Sequence, residues 1–159
     1  MSGIAALTWD ALAPLGFEPE ERPASGRMPT LPADVTELPE ADLMILFTEL
    51  TEWACYAATQ LADAASRERS AEQDLAAAQA AASVRASTER TVAAQKARAA
   101  ADPAVQDEGD ALLTISAYRR ALDAVTGNAE RRAQLVSREL SRRIARSDRS
   151  ARASRWGGA

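Results

Sequence analysis

The sequence predicts an all-α protein, an antiparallel long-helix hairpin of coiled-coil-like, alanine-rich arms that assembles into a homo-oligomer. Three observations carry this prediction. From Pro39 to Pro103 there is neither glycine nor proline, which leaves a long span with nothing to break a helix. Apolar residues recur through that span in a four-three rhythm, and a second such rhythm runs from Leu112 to Ile144. Alanine makes up about a quarter of the chain while aromatic residues are only 4%. Each methyl group buries little surface, so a core built this way is thin and calls for copies of itself.

The head, residues 1–38, holds five of the seven prolines and is acidic. We expect it to be a disordered tail. Within it LTWDALAPLGF (Leu7, Trp9, Leu12, Leu15 and Phe17) is either a short docking motif or a piece of tail laid on the protein's own body. The helical hairpin domain is expected over 39–147. Pro39 suits a first helical turn, and Glu40 and Asp42 complement its positive end. The seam then reads Leu43, Phe47, Leu50, Ala54, Ala57, Leu61, Ala64, Glu68, Ala71, Leu75, Ala78, Ala82, with Leu46 and Trp53 widening its start. One glutamate interrupts it.

The first arm is placed at about 40–84 and a turn near 85–88, where Ser87 or Thr88 can cap the second arm at about 88–147. Asp102–Pro103 reads as a further cap with proline at the first helical position, so 102–109 is a kink candidate, as is Gly127–Asn128. In the second arm Leu112, Ile115, Tyr118, Leu122, Val125, Ala129, Ala133, Val136, Leu140 and Ile144 follow helical spacing. Residues 148–159 are expected to be a basic tail. Core and oligomer contacts are assigned to Leu43, Phe47, Leu50, Trp53, Leu61, Leu75, Leu122, Val136, Leu140 and Ile144.

Composition excludes much chemistry. There is no histidine, and Cys55 is the single cysteine, which removes His-dependent triads, CxxC sites and internal disulfides. Cys55 lies among apolar residues and reads as a small buried hydrophobe. No glycine-rich phosphate loop, metal cluster or tuned general base is visible, so no catalytic residue, metal or cofactor is expected. Met1 to Leu15 lacks a basic start and is interrupted by Asp10 and Pro14, and no run of about 18 uncharged apolar residues occurs. A cytoplasmic, non-membrane protein is the expectation.

Charge is polarised along the chain. Residues 1–50 carry a net -7, residues 51–110 a net -4, and residues 111–159 a net +7, within an overall -4. The basic end is VSRELSRRIARSDRSARASRW. On a helix Ala133, Val136, Leu140 and Ile144 share one sector, while Arg131, Arg138, Arg142, Arg146 and Arg149 fall nearly opposite. Arg132 and Arg143 border the apolar stripe. Guanidinium groups pair with phosphate oxygens bidentately, so this row can follow the backbone of a nucleic acid, with Trp156 as a stacking platform. The same row also suits ion pairing with acids of another subunit, or an acidic membrane or protein surface. A second basic cluster, Arg90, Lys96 and Arg98, is either a solvated face or a further contact.

The order of LMILFTELTEWACYAATQLA, VAAQKARAAADPAV and ISAYRRALDAVTGNAERRAQLVSRELSRR resembles the UvsY-type recombination mediators of phages over about residues 43–146. Within the second arm ALDAVTG followed by VSRE is similar to that family's order of leucine-aspartate, small residue-glycine and serine-arginine. The resemblance implies an oligomeric ring in the bacterial host cytoplasm that binds single-stranded DNA. It implies loading of a RecA-like recombinase onto strands covered by single-strand-binding protein, with a Lys-x-Arg DNA contact falling on Lys96 and Arg98. The sequence therefore leads to a non-enzymatic single-stranded DNA-binding recombination mediator. The other class open to it is a phage structural or assembly protein, such as a scaffold, connector or small packaging subunit.

Overall fold

The computed structural model describes residues 9–156, with side chains described up to residue 152. Leu7 and the Trp156 side chain therefore lie outside the described residues. Among the described residues, after a short helical stretch at 9–12, come the helices α1 (Glu40–Ala86), α2 (Val92–Ala100) and α3 (Pro103–Trp156). No strand occurs among the described residues, and α1 and α3 pack against each other as an all-α hairpin. None of the described helices is long and apolar enough to cross a membrane. Two compact units divide the chain. One comprises Glu20–Ala58 and Ala124–Ala159, the other Met1–Pro19 and Thr59–Asp123.

In the first of these units the core is Leu43, Leu50 and Val136, each 0% exposed. Leu46, Phe47, Ala133 and Leu140 pack on it, and so do Met28, Leu31, Val35 and Leu38 of the proline-rich head. The head is thus irregular but docked over this stretch, which corrects the expectation of a disordered tail. Its four apolar side chains stand at three-four-three spacing, but Pro29 and Pro32 between them rule out a continuous helix, so the rhythm does not read as a buried face. Polar contacts add to the docking: Arg132 Nη1 donates to Pro29 O at 3.3 Å and Arg143 Nη2 to Thr36 O at 3.0 Å. Asp34 caps a 3-10 turn at Val35–Glu37 by accepting from Thr36 N at 2.7 Å. Trp53 is half-buried, with Nε1 donating to Ser25 Oγ at 2.9 Å and its ring edge-on to Tyr56 at 5.7 Å. Two sequence assignments fail here. Ile144 is 61% exposed, because Arg143 takes the inward place that follows Leu140. Cys55 is exposed, standing outside the seam between Ala54 and Ala57.

The second unit is built on alanine. Ala64, Ala71, Ala82 and Ala86 of α1 are buried, with Leu61 and Leu75 half-buried beside them and Leu112, Ile115 and Leu122 half-buried on α3. Small side chains let helix axes approach closely, at the cost of little apolar area per residue. Glu68, the seam's one acid, meets Ser116 and Arg119 of α3. Ser116 Oγ donates to Glu68 Oε1 at 2.6 Å, and the Arg119 guanidinium forms an ion pair with Oε2. From the N-terminal segment Trp9 Nε1 donates to Asp63 Oδ1 at 2.9 Å, so part of LTWDALAPLGF lies on α1, while Leu15 and Phe17 are exposed.

The connection differs from the expected single turn. After α1 ends at Ala86, Thr91 rather than Ser87 or Thr88 caps the next helix, its side chain accepting from Ala94 N at 3.2 Å. That helix is the separate α2, and the long second arm begins at Pro103 rather than near 88. Asp102 organises the joint: Oδ1 accepts from Ala104 N at 3.1 Å, and Oδ2 from Arg85 Nη2 at 2.7 Å. From there the helical assignment of α3 continues through Gly109 and Gly127 to Trp156, so the basic residues expected in a separate tail belong to this helix as far as Trp156. A helical glycine costs only about 1 kcal/mol relative to alanine, which is not enough to end a packed helix. Arginines in the last turns also complement the negative end of the helix dipole.

Candidate nucleic-acid interface

The basic end of α3 takes its orientation from the seam. With Ala133, Val136 and Leu140 turned inward, a helix of 3.6 residues per turn carries Arg131 and Arg138 on the outer side. These two stand one heptad apart, about 10.5 Å along the axis. Arg142, Arg146 and Arg149 continue the exposed surface towards the C-terminus. All five are exposed, so this end of α3 is a guanidinium-bearing edge as the spacing predicts.

The five do not present equal cations. Glu139 is 6% exposed and holds two arginines at once. Arg142 Nε and Nη2 donate to its two carboxylate oxygens at 2.6 and 2.7 Å, and Arg143 Nε donates to Oε1 at 2.9 Å. The Arg142 hydrogen bonds, followed by those of Arg143, hold the Glu139 carboxyl down to about 2 against the opposing effect of burial. Arg142 therefore shares the single negative charge of Glu139 with Arg143 and is compensated in part. Arg131 Nη1 donates to Asn128 Oδ1 at 2.9 Å and Arg149 Nε to Ala145 O at 3.1 Å, both neutral acceptors on the same helix. Arg138 and Arg146 make no ion pair among the described residues. Arg131, Arg138, Arg146 and Arg149 thus keep their full charge on the surface, and an incoming phosphate displaces at most a neutral hydrogen bond.

Sequence reading does not single out Glu139, although its spacing to Arg142 and Arg143, three and four residues, is the spacing at which helical side chains meet. Arg132 and Arg143, placed beside the apolar stripe from sequence, reach from that border to the head's carbonyls.

Lys96 and Arg98 belong to the other unit, on α2. Two residues apart, they point about 200° from each other around the helix and do not form one site. Arg98 Nη1 donates to Glu89 Oε1 at 2.7 Å. Lys96 lines an open cleft of about 460 Å³ with Gln79, Ser83, Val92 and Gln95. Among the described residues no group of three His, Cys, Asp or Glu side chains is placed to hold a metal ion. Compared with family models, with curated proteins and with solved structures, the chain matches none.

Proposed function

We propose that this protein is a non-enzymatic, oligomeric accessory factor that binds single-stranded DNA along the arginine edge of α3 and acts as a recombination mediator. The observation that supports it most is the set of exposed, uncompensated guanidinium groups of Arg131, Arg138, Arg146 and Arg149 on one helix of an otherwise acidic chain. Arginine's planar fork matches phosphate oxygens, and a row on one helix follows a flexible strand more readily than it reads base edges. The role in loading a RecA-like recombinase onto strands held by single-strand-binding protein rests on the resemblance to UvsY-type mediators. A second reading, a phage assembly protein with oligomerising helical arms, is favoured by one feature, the exposed large apolar side chains of Leu113 and Tyr118 on α3.

The test is a titration of labelled single-stranded and double-stranded oligonucleotides of equal length with the full chain. The proposal expects tighter binding to the single strand, weakening as salt rises. Absence of binding at low salt, or a preference for the duplex, contradicts it.

A further inference from the structure

The docked head runs along one side of the arginine edge, inside a single compact unit. Arg132 donates to Pro29 O and Arg143 to Thr36 O, so residues 29–36 follow α3 for about 17 Å of its axis. At about 100° per residue Arg132, Glu139 and Arg143 fall within about 40° of one another, on the side the head covers. Arg142 lies about 60° out from Glu139, where the head gives way to exposed surface. Asp34 belongs to this border. Its Oδ1 accepts from Thr36 N and Thr36 Oγ1, each at 2.7 Å, while the Thr36 carbonyl accepts from Arg143 at 3.0 Å. One residue therefore joins the Asp34 carboxylate to the guanidinium groups gathered on Glu139. The Glu139 hydrogen bonds first, and the Asp34 charge in addition, raise the Arg142 pKa, whereas the exposed Glu37 beside Thr36 has no such effect.

Glu139 supplies one negative charge to Arg142 and Arg143, and Asp34 brings the second, so two guanidinium groups meet two carboxylates. We infer that the docked head is a resident competitor of the bound strand, with Asp34 providing the counter-charge that keeps Arg142 from taking a phosphate. Arg138 and Arg146 stand about 12 Å apart along the axis, with Arg142 midway between them both along the helix and around it. A strand on this edge is therefore gripped on either side of a neutral step rather than along an unbroken row. The Asp34 carboxylate also repels a phosphate directly, an effect that is modest at a surface and screened by salt. Of the two carboxylates, Glu139 is fixed in the helix and Asp34 comes from the irregular head. The head thus sets how many phosphates the helix holds.

This competition rests on the single-strand binding proposed above, and one titration tells the two apart. Affinity for a labelled single-stranded oligonucleotide is measured over a range of salt for wild type, Asp34→Asn and Glu52→Gln, each as the full chain. Asparagine keeps an oxygen to accept from Thr36 N, so the turn stays capped while its charge is removed. Glu52, an exposed acid of α1 in the same unit, controls for the change in net charge. Circular dichroism confirms that both variants fold as wild type does. Asp34→Asn is expected to steepen the slope of log affinity against log salt by about 0.7, the share of one further phosphate, and to bind about fivefold tighter at about 0.1 M salt. Glu52→Gln is expected to leave the slope unchanged. A slope and affinity in Asp34→Asn equal to those of Glu52→Gln overturn the competition and leave single-strand binding standing. Binding by Asp34→Asn but not by wild type supports the competition, and absence of binding by both overturns it together with the DNA site.

Discussion

Glu68 of α1 is ion-paired with Arg119 of α3, and the pair sits inside a seam made otherwise of alanine and leucine. The Ser116 hydroxyl, and after it Arg119, lower the Glu68 pKa against the raising effect of burial. An alanine seam looks nearly the same when one helix slides by a heptad, so apolar packing alone specifies the alignment of α1 and α3 weakly here. A charged layer distinguishes one register from the others, as a polar seam residue does in coiled coils.

The two residues are therefore expected to be coupled. Glu68→Leu strands a guanidinium in the seam and Arg119→Leu strands a carboxylate, and each lowers the melting temperature. The double variant Glu68→Leu/Arg119→Leu is expected to melt higher than the sum of the single effects, read from thermal unfolding as a double-mutant cycle. Additive losses contradict the coupling.

Glu139 sets the acid limit of the arginine-bearing end. Its folded pKa, about 2 against an ordinary 4.5, is depressed, so its contribution to stability is complete above about 4.5 and is lost as pH falls towards 2. Asp34, Glu68 and Asp102 are shifted in the same direction, by Thr36, Ser116 and Arg85 first respectively. Thermal stability is expected to be flat from neutral pH down to about 4.5 and then to fall. In Glu139→Gln it is expected to be lower at neutral pH and to depend less on pH between 4.5 and 2. An unchanged acid slope in that variant contradicts the assignment.

Leu50 and Ile144 separate the core from its sequence-based outline. Leu50 is wholly buried and Ile144 is mostly exposed. Leu50→Ala is expected to cost about 2–5 kcal/mol, the range for truncating a buried leucine. Ile144→Ala is expected to stay within about 0.5 kcal/mol of wild type. Denaturant unfolding of both variants checks the contrast, and a large loss at Ile144 contradicts the packing described.

Much of this was legible in the residues. The seam from Leu43 to Ala82 occupies its inward places as the rhythm predicts, because glycine and proline are absent and every seventh residue except Glu68 is apolar or alanine. The second arm misleads by one residue at three places, one of them Ile144, whose inward place Arg143 takes. An apolar rule selects Tyr118 and Val125, yet Arg119 and Thr126 take the inward positions and the apolar pair is exposed. Spacing in fact favours Arg119 and Thr126, which keep the three-four alternation of Leu112, Ile115, Leu122 and Ala129. Their polarity hides it. Arg119 is explained only by Glu68 on the other helix, a long-range pairing that no local window contains. The docking of Met28, Leu31, Val35 and Leu38 is hidden differently, since Pro29 and Pro32 break the helix that their three-four-three spacing would otherwise suggest.

The central claim is that the exposed arginines of α3 hold the phosphates of a strand. It is tested most directly by the salt dependence of single-stranded oligonucleotide binding, compared between wild type and Arg131→Gln/Arg138→Gln/Arg146→Gln. Arg142 is left in place because it is ion-paired with Glu139 and its loss would unpair that carboxylate. Each phosphate neutralised on a single strand contributes about 0.7 to the slope of log affinity against log salt, so the triple variant is predicted to lose about two from that slope, together with affinity. Unchanged slope and affinity in a variant that remains folded contradict the assignment of this edge as the DNA site.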